Sequence, residues 1–509
     1  RPGRPSTRID PREQGDTMNV LFVVLDTLRR DYLAPYGNDW VQTPNIARLA
    51  ERSVVCDNHW VGSLPCMPAR REFMTGRHNF LERGWGPLEP FDDVLPNQLR
   101  QVRPKPVFSH LITDHYHYFY LGGEGHNSSF DSWQFERGQE SDLWISRVDL
   151  PALPETLNRR AHRQQNALNR LAQREEHEFS GPRCIEHAIR WLDDNRDASD
   201  WFLQLELFDP HEPFYVVPEY LALYGDDWEG PLYDWPDYGV CKDDPRAIAH
   251  IRKCYAALLT MTDRWLGKLW DRLDALDRWE DTVVVLTTDH GTMLGEHDYW
   301  MKNSMPVYNE IAQIPLIVHL PGDRRAGTRV SSLTQSTDLM PTILDWFGAP
   351  MPPHLHGTSL RPALEGDAAV HDALIYGYFG MATNVTDGRY TYFRNPLAPD
   401  TTVYAYTAMP TQFHGFIPRE QLAQAETGRF LGHTYNIPVF KIPQPGKPPL
   451  GYEASEAYQL RHDLYDLATD PGQERPLADP VIEARLCAAL RDQFARVAAP
   501  HEQWARLGL

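Results

Sequence analysis

Cysteine is scarce: the six in 509 residues, Cys56, Cys66, Cys184, Cys241, Cys254 and Cys487, are widely spaced and form no CxxC pair. That pattern excludes a disulfide framework and predicts reduced, mostly buried thiols. Long apolar runs are missing as well, since no stretch approaches the roughly 20 residues of a membrane span. Positive charge is in short supply: 50 Lys and Arg against 70 Asp and Glu leave a formal net charge of −20. This balance argues against nucleic acid and anionic membrane surfaces as partners. Residues 1–17 are polar and Arg-rich and have no apolar signal core, so a flexible N-terminal extension and a cytoplasmic location are expected. Internal repeats are absent too.

What is present is an alternation of strands and helices. The runs Val20 to Leu25 and Thr282 to Thr288 are continuously apolar or β-branched, as in strands buried on both faces, and they end at Asp26 and at Asp289-His290-Gly291. Ligand sites of open α/β sheets gather beyond the carboxyl ends of the strands, so two runs that deliver acids at one edge predict a site. Further strands are expected at Trp201–Leu207 and Ile314–Leu320. Helices are expected over about Ala247 to Leu276, Asp338 to Phe347 and Val481 to Val497. A mainly parallel sheet covered by helices on both faces follows. From about His371 the texture changes to Gly- and Tyr-rich short strands, and Pro396 to Pro449 reads as a Pro-rich insertion or an oligomer arm. The expected division is an extension over 1–17, an α/β catalytic domain over 18–370 and a smaller C-terminal subdomain over 371–509.

The most informative stretch is Cys66-Met67-Pro68-Ala69-Arg70, followed by Thr75-Gly76-Arg77. Ser63, Pro68 and the run Ala69 to Met74 read as a helix start, with Gly76 as its stop. Cys66 would then sit at a helix N-terminus, where free N–H groups and the dipole favour a tetrahedral anion. With a net negative chain, positive field at such a site must come from a metal and from local Lys, Arg and His. Asp26, Asp289 and His290 are candidate ligands. Carboxylates suit a hard divalent ion such as Ca²⁺, Mg²⁺ or Mn²⁺, and the imidazole shifts the balance towards Mn²⁺.

Cys-x-Pro-x-Arg resembles the signature of type I sulfatases. Asp26-Thr27-Leu28-Arg29-Arg30-Asp31, Pro210-His211-Glu212-Pro213, Thr288 to Gly291, Gly295-Glu296-His297 leading to Lys302, His356-Gly357-Thr358-Ser359-Leu360 and Leu464-Tyr465-Asp466-Leu467 follow in sulfatase order. The resemblance implies an alkaline-phosphatase-like α/β fold with a smaller C-terminal domain built around an antiparallel sheet. It also implies oxidation of Cys66 to formylglycine by a formylglycine-generating enzyme, with the aldehyde hydrate as nucleophile and a further metal ligand. One hydroxyl of that hydrate would attack sulfur in line, and the other would lose its proton as sulfate is expelled.

By the same resemblance, Arg70 holds the hydrate, while His211 and Lys302 bind the ester's oxygens and one of them protonates the leaving alcohol. His117 is the base that helps expel sulfate, and His115 an anion-binding substitute for the family's lysine. Alternating histidines among tyrosines also suit an ordinary strand with one polar face. His297 reads as a surface or supporting histidine, Asp92 and Asp93 as solvated acids, and the tryptophans Trp60, Trp85, Trp133 and Trp300 mostly as core, with an aromatic or sugar pocket as the other use. Two departures matter: Asp26-Thr27 replaces the usual pair of acids, and His290 stands where many sulfatases have asparagine. Both features resemble phosphonate monoester hydrolases. The expected substrate is a small anionic ester, a sulfate monoester first and a phosphonate monoester or phosphodiester as the alternative. An anion-binding protein with unconverted Cys66 is the non-catalytic rival, and self-association is plausible given the insertion.

Overall fold

The computed structural model describes residues 18–152, 154–156, 163–398, 401–412, 415–444 and 461–509. The proposed N-terminal extension, and the last residues of the proposed insertion, lie outside them. Among the described residues the central sheet is nine-stranded, with Thr328–Val330 at one edge followed by Val54–Trp60, Gln313–His319, Thr282–Thr287, Asn19–Leu25, Trp201–Leu207, Phe108–Thr113 and Ser132–Phe135; the ninth, Thr334–Gln335, also pairs with Val54–Trp60. Gln313–His319 runs antiparallel to both its neighbours, and the remaining pairings are parallel.

The strand Asn19–Leu25 shows how the apolar runs make this architecture. All seven of its residues are buried. Leu21, Val23 and Leu25 face one cluster with Leu258, Leu259 and Leu266 of the helix Pro245–Ala275. Val20, Phe22 and Val24 face the other, with Met67, Phe73 and Met74 of the helix Cys66–Thr75 and Ile343 and Leu344 of the helix Leu339–Trp346. Period-two alternation puts successive residues on opposite faces, so a strand apolar at every position needs helices on both sides. That requirement holds the helix bearing Cys66 against the sheet.

A second, five-stranded sheet runs Asp463–Asp466, Tyr390–Arg394, Thr383–Thr386, Leu374–Tyr378 and Ser63–Leu64. Its last pairing is parallel and joins Gly377 to Ser63 and Tyr378 to Leu64. The C-terminal sheet therefore grips the chain just before Cys66. Leu486, Leu490 and Phe494 of the helix Pro480–Arg496 pack with Ile375, Val385 and Tyr392 to back this sheet. Val403–Thr407, Val439–Gln444 and Glu426–Gly428 form a small antiparallel sheet within the proposed insertion.

Three local expectations are corrected. Ser63 does not start the helix: it belongs to the strand Ser63–Leu64, and its hydroxyl donates to Glu72 Oε1 at 2.5 Å. Helix geometry begins at Cys66 and ends at Gly76, whose φ of 62° suits glycine. Asp92 is not a solvated acid, because it holds the Arg71 guanidinium at 2.7 Å with its side chain buried. The His-x-His segment is no strand; Phe108–Thr113 ends first, and Tyr116–Phe119 forms a 3₁₀ turn.

Candidate active site

Both acid-bearing strands end at one edge of the central sheet. Asp26 follows Leu25 directly, and Thr27 then turns the chain at φ 63°, a left-handed conformation unusual for a β-branched residue. The turn is locked by the Thr27 N–H, which donates to Asp289 Oδ1 at 3.0 Å. Gly291 follows the Asp289-His290 pair because a side chain there has no room: a Cβ would lie 1.9 Å from the Glu310 carbonyl oxygen. Cys66 meets this edge from the first turn of its helix.

Asp26, Cys66, Asp289 and His290 are all buried and place their ligand atoms within 4.8 Å of one another. Cys66 Sγ lies 3.1 Å from His290 Nε2 and 3.9 Å from Asp26 Oδ1. His290 Nδ1 is 2.8 Å from the Gly291 carbonyl oxygen; a carbonyl can only accept, so the proton sits on Nδ1 and the Nε2 lone pair faces the cluster. Asp26 Oδ2 is buried without a hydrogen-bond donor. Two carboxylates and an imidazole lone pair, with Asp26 Oδ2 engaged only through ionic contacts and no hydrogen bond, fit a divalent cation.

Arg70 balances the acids. Its Nη1 donates to Asp289 Oδ2 at 2.6 Å, Nη2 lies 2.9 Å from Asp26 Oδ2, and Nε lies 3.5 Å from Glu206 Oε2. It thus serves the carboxylates, and its contact with residue 66 is to the backbone carbonyl at 3.3 Å. Burial and the neighbouring Asp289 push Asp26 up to about 6. Burial opposes ionisation of Asp289 too, but His290, Arg70 and the Thr27 N–H outweigh it and hold Asp289 below the usual carboxylate range. Burial, reinforced by Asp26, pushes the Cys66 thiol well up.

Lys302 follows the strand Tyr299–Met301, and its ammonium reaches Thr27 Oγ1 at 3.0 Å and the two Glu212 oxygens at 3.3 and 3.4 Å. The Thr27 hydroxyl donates a hydrogen bond to Asp26 Oδ1 at 2.7 Å, so this side chain links lysine to the acid cluster. Burial disfavours the charged lysine, yet Glu212 together with Cys66, Asp26 and Asp289 outweighs it and raises its pKa. His211 Nδ1 lies 2.6 Å from the Glu212 carbonyl oxygen, which places its proton there, and Nε2 lies 4.0 Å from Asp26 Oδ1. Burial lowers His211 to about 4.

His115 Nδ1 is 3.6 Å from Asp26 Oδ2, and burial, with Arg70 nearby, pushes this imidazole well down. His117 meets His115 edge to face with ring centroids 4.9 Å apart and brings Nε2 to 3.7 Å from Glu140 Oε2. All nine residues singled out from the sequence therefore stand around one edge: Asp26, Cys66, Arg70, Asp289, His290 and Lys302 in a contiguous cluster, and His115, His117 and His211 along its rim. His297 stands apart, stacked on Tyr308 at 3.8 Å.

Cys66, His117, His211 and Lys302 open onto a cavity of about 490 Å³. Its walls include Trp85, Tyr120, Trp235, Tyr238 and Phe379, and the insertion contributes Thr407, Thr411, Gln412, Ile417 and Gln444. Trp60 and Trp300 are core, as expected, while Trp133 is 44% exposed. Sequence reasoning missed Glu140, Glu206 and the role of Glu212. Glu206 had a signal: a charged residue in the fully buried strand Trp201–Leu207 needs a partner. Glu212 adjoins His211 and accepts from Tyr238 as well as Lys302. Glu140 had none.

A mostly parallel sheet that gathers a helix-borne cysteine, two acids, an imidazole and a lysine at its carboxyl edge is the architecture of an alkaline-phosphatase-like hydrolase. The sulfatase family model matches residues 18–349, and the chain belongs to that family, hydrolases of sulfuric esters. The chain is 28% identical over 399 residues to the multifunctional alkaline phosphatase superfamily protein PehA of Trinickia caryophylli, covering 68% of this chain and 77% of that protein. It is 24% identical over 412 residues to the iduronate 2-sulfatase of Mus musculus, covering 66% and 70% of the two chains. A phosphonate monoester hydrolase from Silicibacter pomeroyi shares the fold at a TM-score of 0.64 and 20% identity, with 95% and 96% of the chains covered.

Proposed function

We propose that the protein cleaves a sulfate monoester to sulfate and an alcohol, with residue 66 converted to formylglycine and one divalent ion, Ca²⁺ or Mn²⁺ before Mg²⁺, held by Asp26, Asp289 and His290. The observation that carries this reading is the position of Cys66, which is at once the first residue of its helix, part of the four-residue donor cluster and part of the cavity wall. When present, the ion and the hydrated aldehyde supply an acidified oxygen nucleophile and positive charge for the ester. The thiol itself is a poor candidate for that role, because burial keeps it protonated.

The chain's own residues divide the remaining work. Arg70 holds Asp26 and Asp289 in place and offsets their charge. Lys302 faces the cavity as a permanent cation and receives an oxygen of the anionic ester. His211 offers Nε2 and His117 its ring towards the same space, while His115, neutral and wedged beside Asp26, packs behind them. Substrate shape is read by the aromatic walls and by the insertion. Conversion of Cys66 calls for a formylglycine-generating enzyme in the host.

A phosphonate monoester is the second reading, favoured by one observation. Thr27, a neutral hydroxyl bonded to Asp26 and Lys302, occupies the place of a second acid. One fewer negative group leaves the centre more positive and better suited to a more highly charged ester. The ratio of kcat/KM for an aryl sulfate and the matching aryl phosphonate monoester tests the choice. A ratio above one supports the sulfatase reading, and a ratio far below one replaces it with the second.

A further inference from the structure

Glu140 faces the catalytic cavity together with Tyr116, His117, His211 and Lys302 and has no part in the reading above. Its backbone lies at φ 42°, a left-handed conformation that is unfavourable for a non-glycine residue and persists only where the surroundings enforce it. The surroundings do so here. Gln139 Nε2 donates to Asp114 Oδ2 at 3.2 Å and to Asp209 Oδ1 at 3.0 Å, and Asn169 Nδ2 donates to the Asp142 carbonyl at 2.8 Å. Anchored on both sides, the turn aims the Glu140 carboxyl at the cavity. The Tyr116 hydroxyl donates to Oε2 at 2.6 Å, which leaves Oε1 as the oxygen to carry a proton; Oε1 lies 3.6 Å from His211 Nδ1.

The leaving alcohol needs a proton, and Lys302 and His211, the two basic residues expected to give one, are poorly arranged to do so. Lys302 directs its hydrogens to Thr27 and Glu212. His211 spends its N–H on the Glu212 carbonyl and turns a bare Nε2 to the cavity. We infer that Glu140, in its acid form, is a catalytic residue that hands its proton to the oxygen of the departing alcohol. As the sulfur–oxygen bond breaks, its electron pair stays on that oxygen, the proton moves to it from Oε1, and the products are the free alcohol and a Glu140 carboxylate. Sulfur keeps its new bond to the oxygen of residue 66, whose hydroxyl proton is released as it attacks, and one proton taken up from solvent restores the Glu140 acid before the next turnover.

The groups facing Glu140 agree with an acid form at neutral pH. Burial and the Glu212 charge, with a smaller push from Asp26, raise Glu140 to about 8, against the opposing pull of the Tyr116 hydrogen bond and of Lys302; His117, His211 and Tyr120 also face it. A general acid works best with a pKa near the operating pH.

The inference rests on the sulfuric ester reading, and the test separates the two. kcat/KM is measured with converted, metal-loaded enzyme for nitrophenyl sulfate, whose leaving group needs no proton, and for phenyl sulfate, whose leaving group does. Glu140→Gln should lower the phenyl sulfate value by about 10²–10⁴-fold and the nitrophenyl sulfate value by less than about tenfold, with an unchanged thermal midpoint. Glu140→Asp should fall between. Equal losses for both esters, or none, overturn the inference. Should the glutamine variant not fold, the wild type read at pH 6 and pH 10 decides: a selective loss of phenyl sulfate turnover at high pH supports the role, and an unchanged ratio overturns it. Failure of the wild type to turn over either ester removes the underlying reading and the inference with it.

Discussion

Arg70 stands among Asp26, Asp289 and Glu206 with its own side chain buried. Removing one partner of a buried ionic group leaves the others uncompensated. Arg70→Ala should therefore destabilise the metal-free protein by about 3–5 kcal/mol, read as a shift in the urea midpoint. Asp289→Asn weakens the donor set instead, and metal content after dialysis should fall well below that of the wild type. Chelation of the wild type should abolish turnover, and re-addition of Mn²⁺ or Ca²⁺ should restore it. Positions at this scale were legible where residue type and spacing point to an edge of the sheet, as in the two acids at strand ends and the helix-borne Cys66. The partners of Arg70 were not legible, because a guanidinium chooses among carboxylates by distance, and Glu206 comes from a strand far away in sequence. Glu140 was invisible for a different reason. Its orientation depends on a left-handed backbone held by Gln139, and nothing in the run Glu136 to Asp142 announces it.

The helix Pro245–Ala275 covers one face of the central sheet, and its start is fixed by Asp244, whose carboxylate accepts from the N–H groups of Arg246 and Ala247 at 2.9 and 3.0 Å. Asp244→Ala should cost about 1 kcal/mol of stability and leave kcat unchanged, since the cap is not among the residues lining the cavity; an unfolding curve and one turnover assay check both halves. This element was readable to within about two residues, because Asp-Pro followed by a 3.6-residue apolar period is a strong local signal. The start of the Cys66 helix was misplaced for a long-range reason. Ser63 looks like a cap, yet pairing with Gly377 and bonding to Glu72 claim it first. The insertion gave no readable pattern, and in the structure its strands meet the catalytic cavity. A bulky residue there, as in Thr411→Trp, should raise KM for large alcohol esters with little effect on small ones, measured across a series of sulfate esters.

Across the whole molecule the negative charge reaches the interior. Asp114 and Asp209 are both buried and both hold Gln139. Burial pushes Asp114 up to about 6, and burial with the Asp114 charge pushes Asp209 up to about 7. Because these folded-state values exceed the unfolded value of about 3.9, the native state binds protons more tightly. Their contribution to stability is full below about pH 4 and is lost as pH rises through 6 and 7. Asp209→Asn should thus gain on the wild type between pH 5 and pH 8, visible as diverging urea midpoints; parallel midpoints would contradict this charge assignment. The fold at this scale was the most legible part, since continuous apolar strands such as Val20–Leu25 require helices on both faces. What the sequence left hidden was the grip of the C-terminal sheet on Ser63–Leu64, a contact between segments more than three hundred residues apart.

The central claim is that residue 66 works as an aldehyde. Peptide mass spectrometry across Cys66, after expression with a formylglycine-generating enzyme, tests it most directly. The account predicts the mass of the aldehyde or its hydrate, with sulfate ester turnover rising in proportion to the converted fraction. An intact thiol alongside a converted control substrate, in a preparation that still hydrolyses sulfate esters, would contradict it.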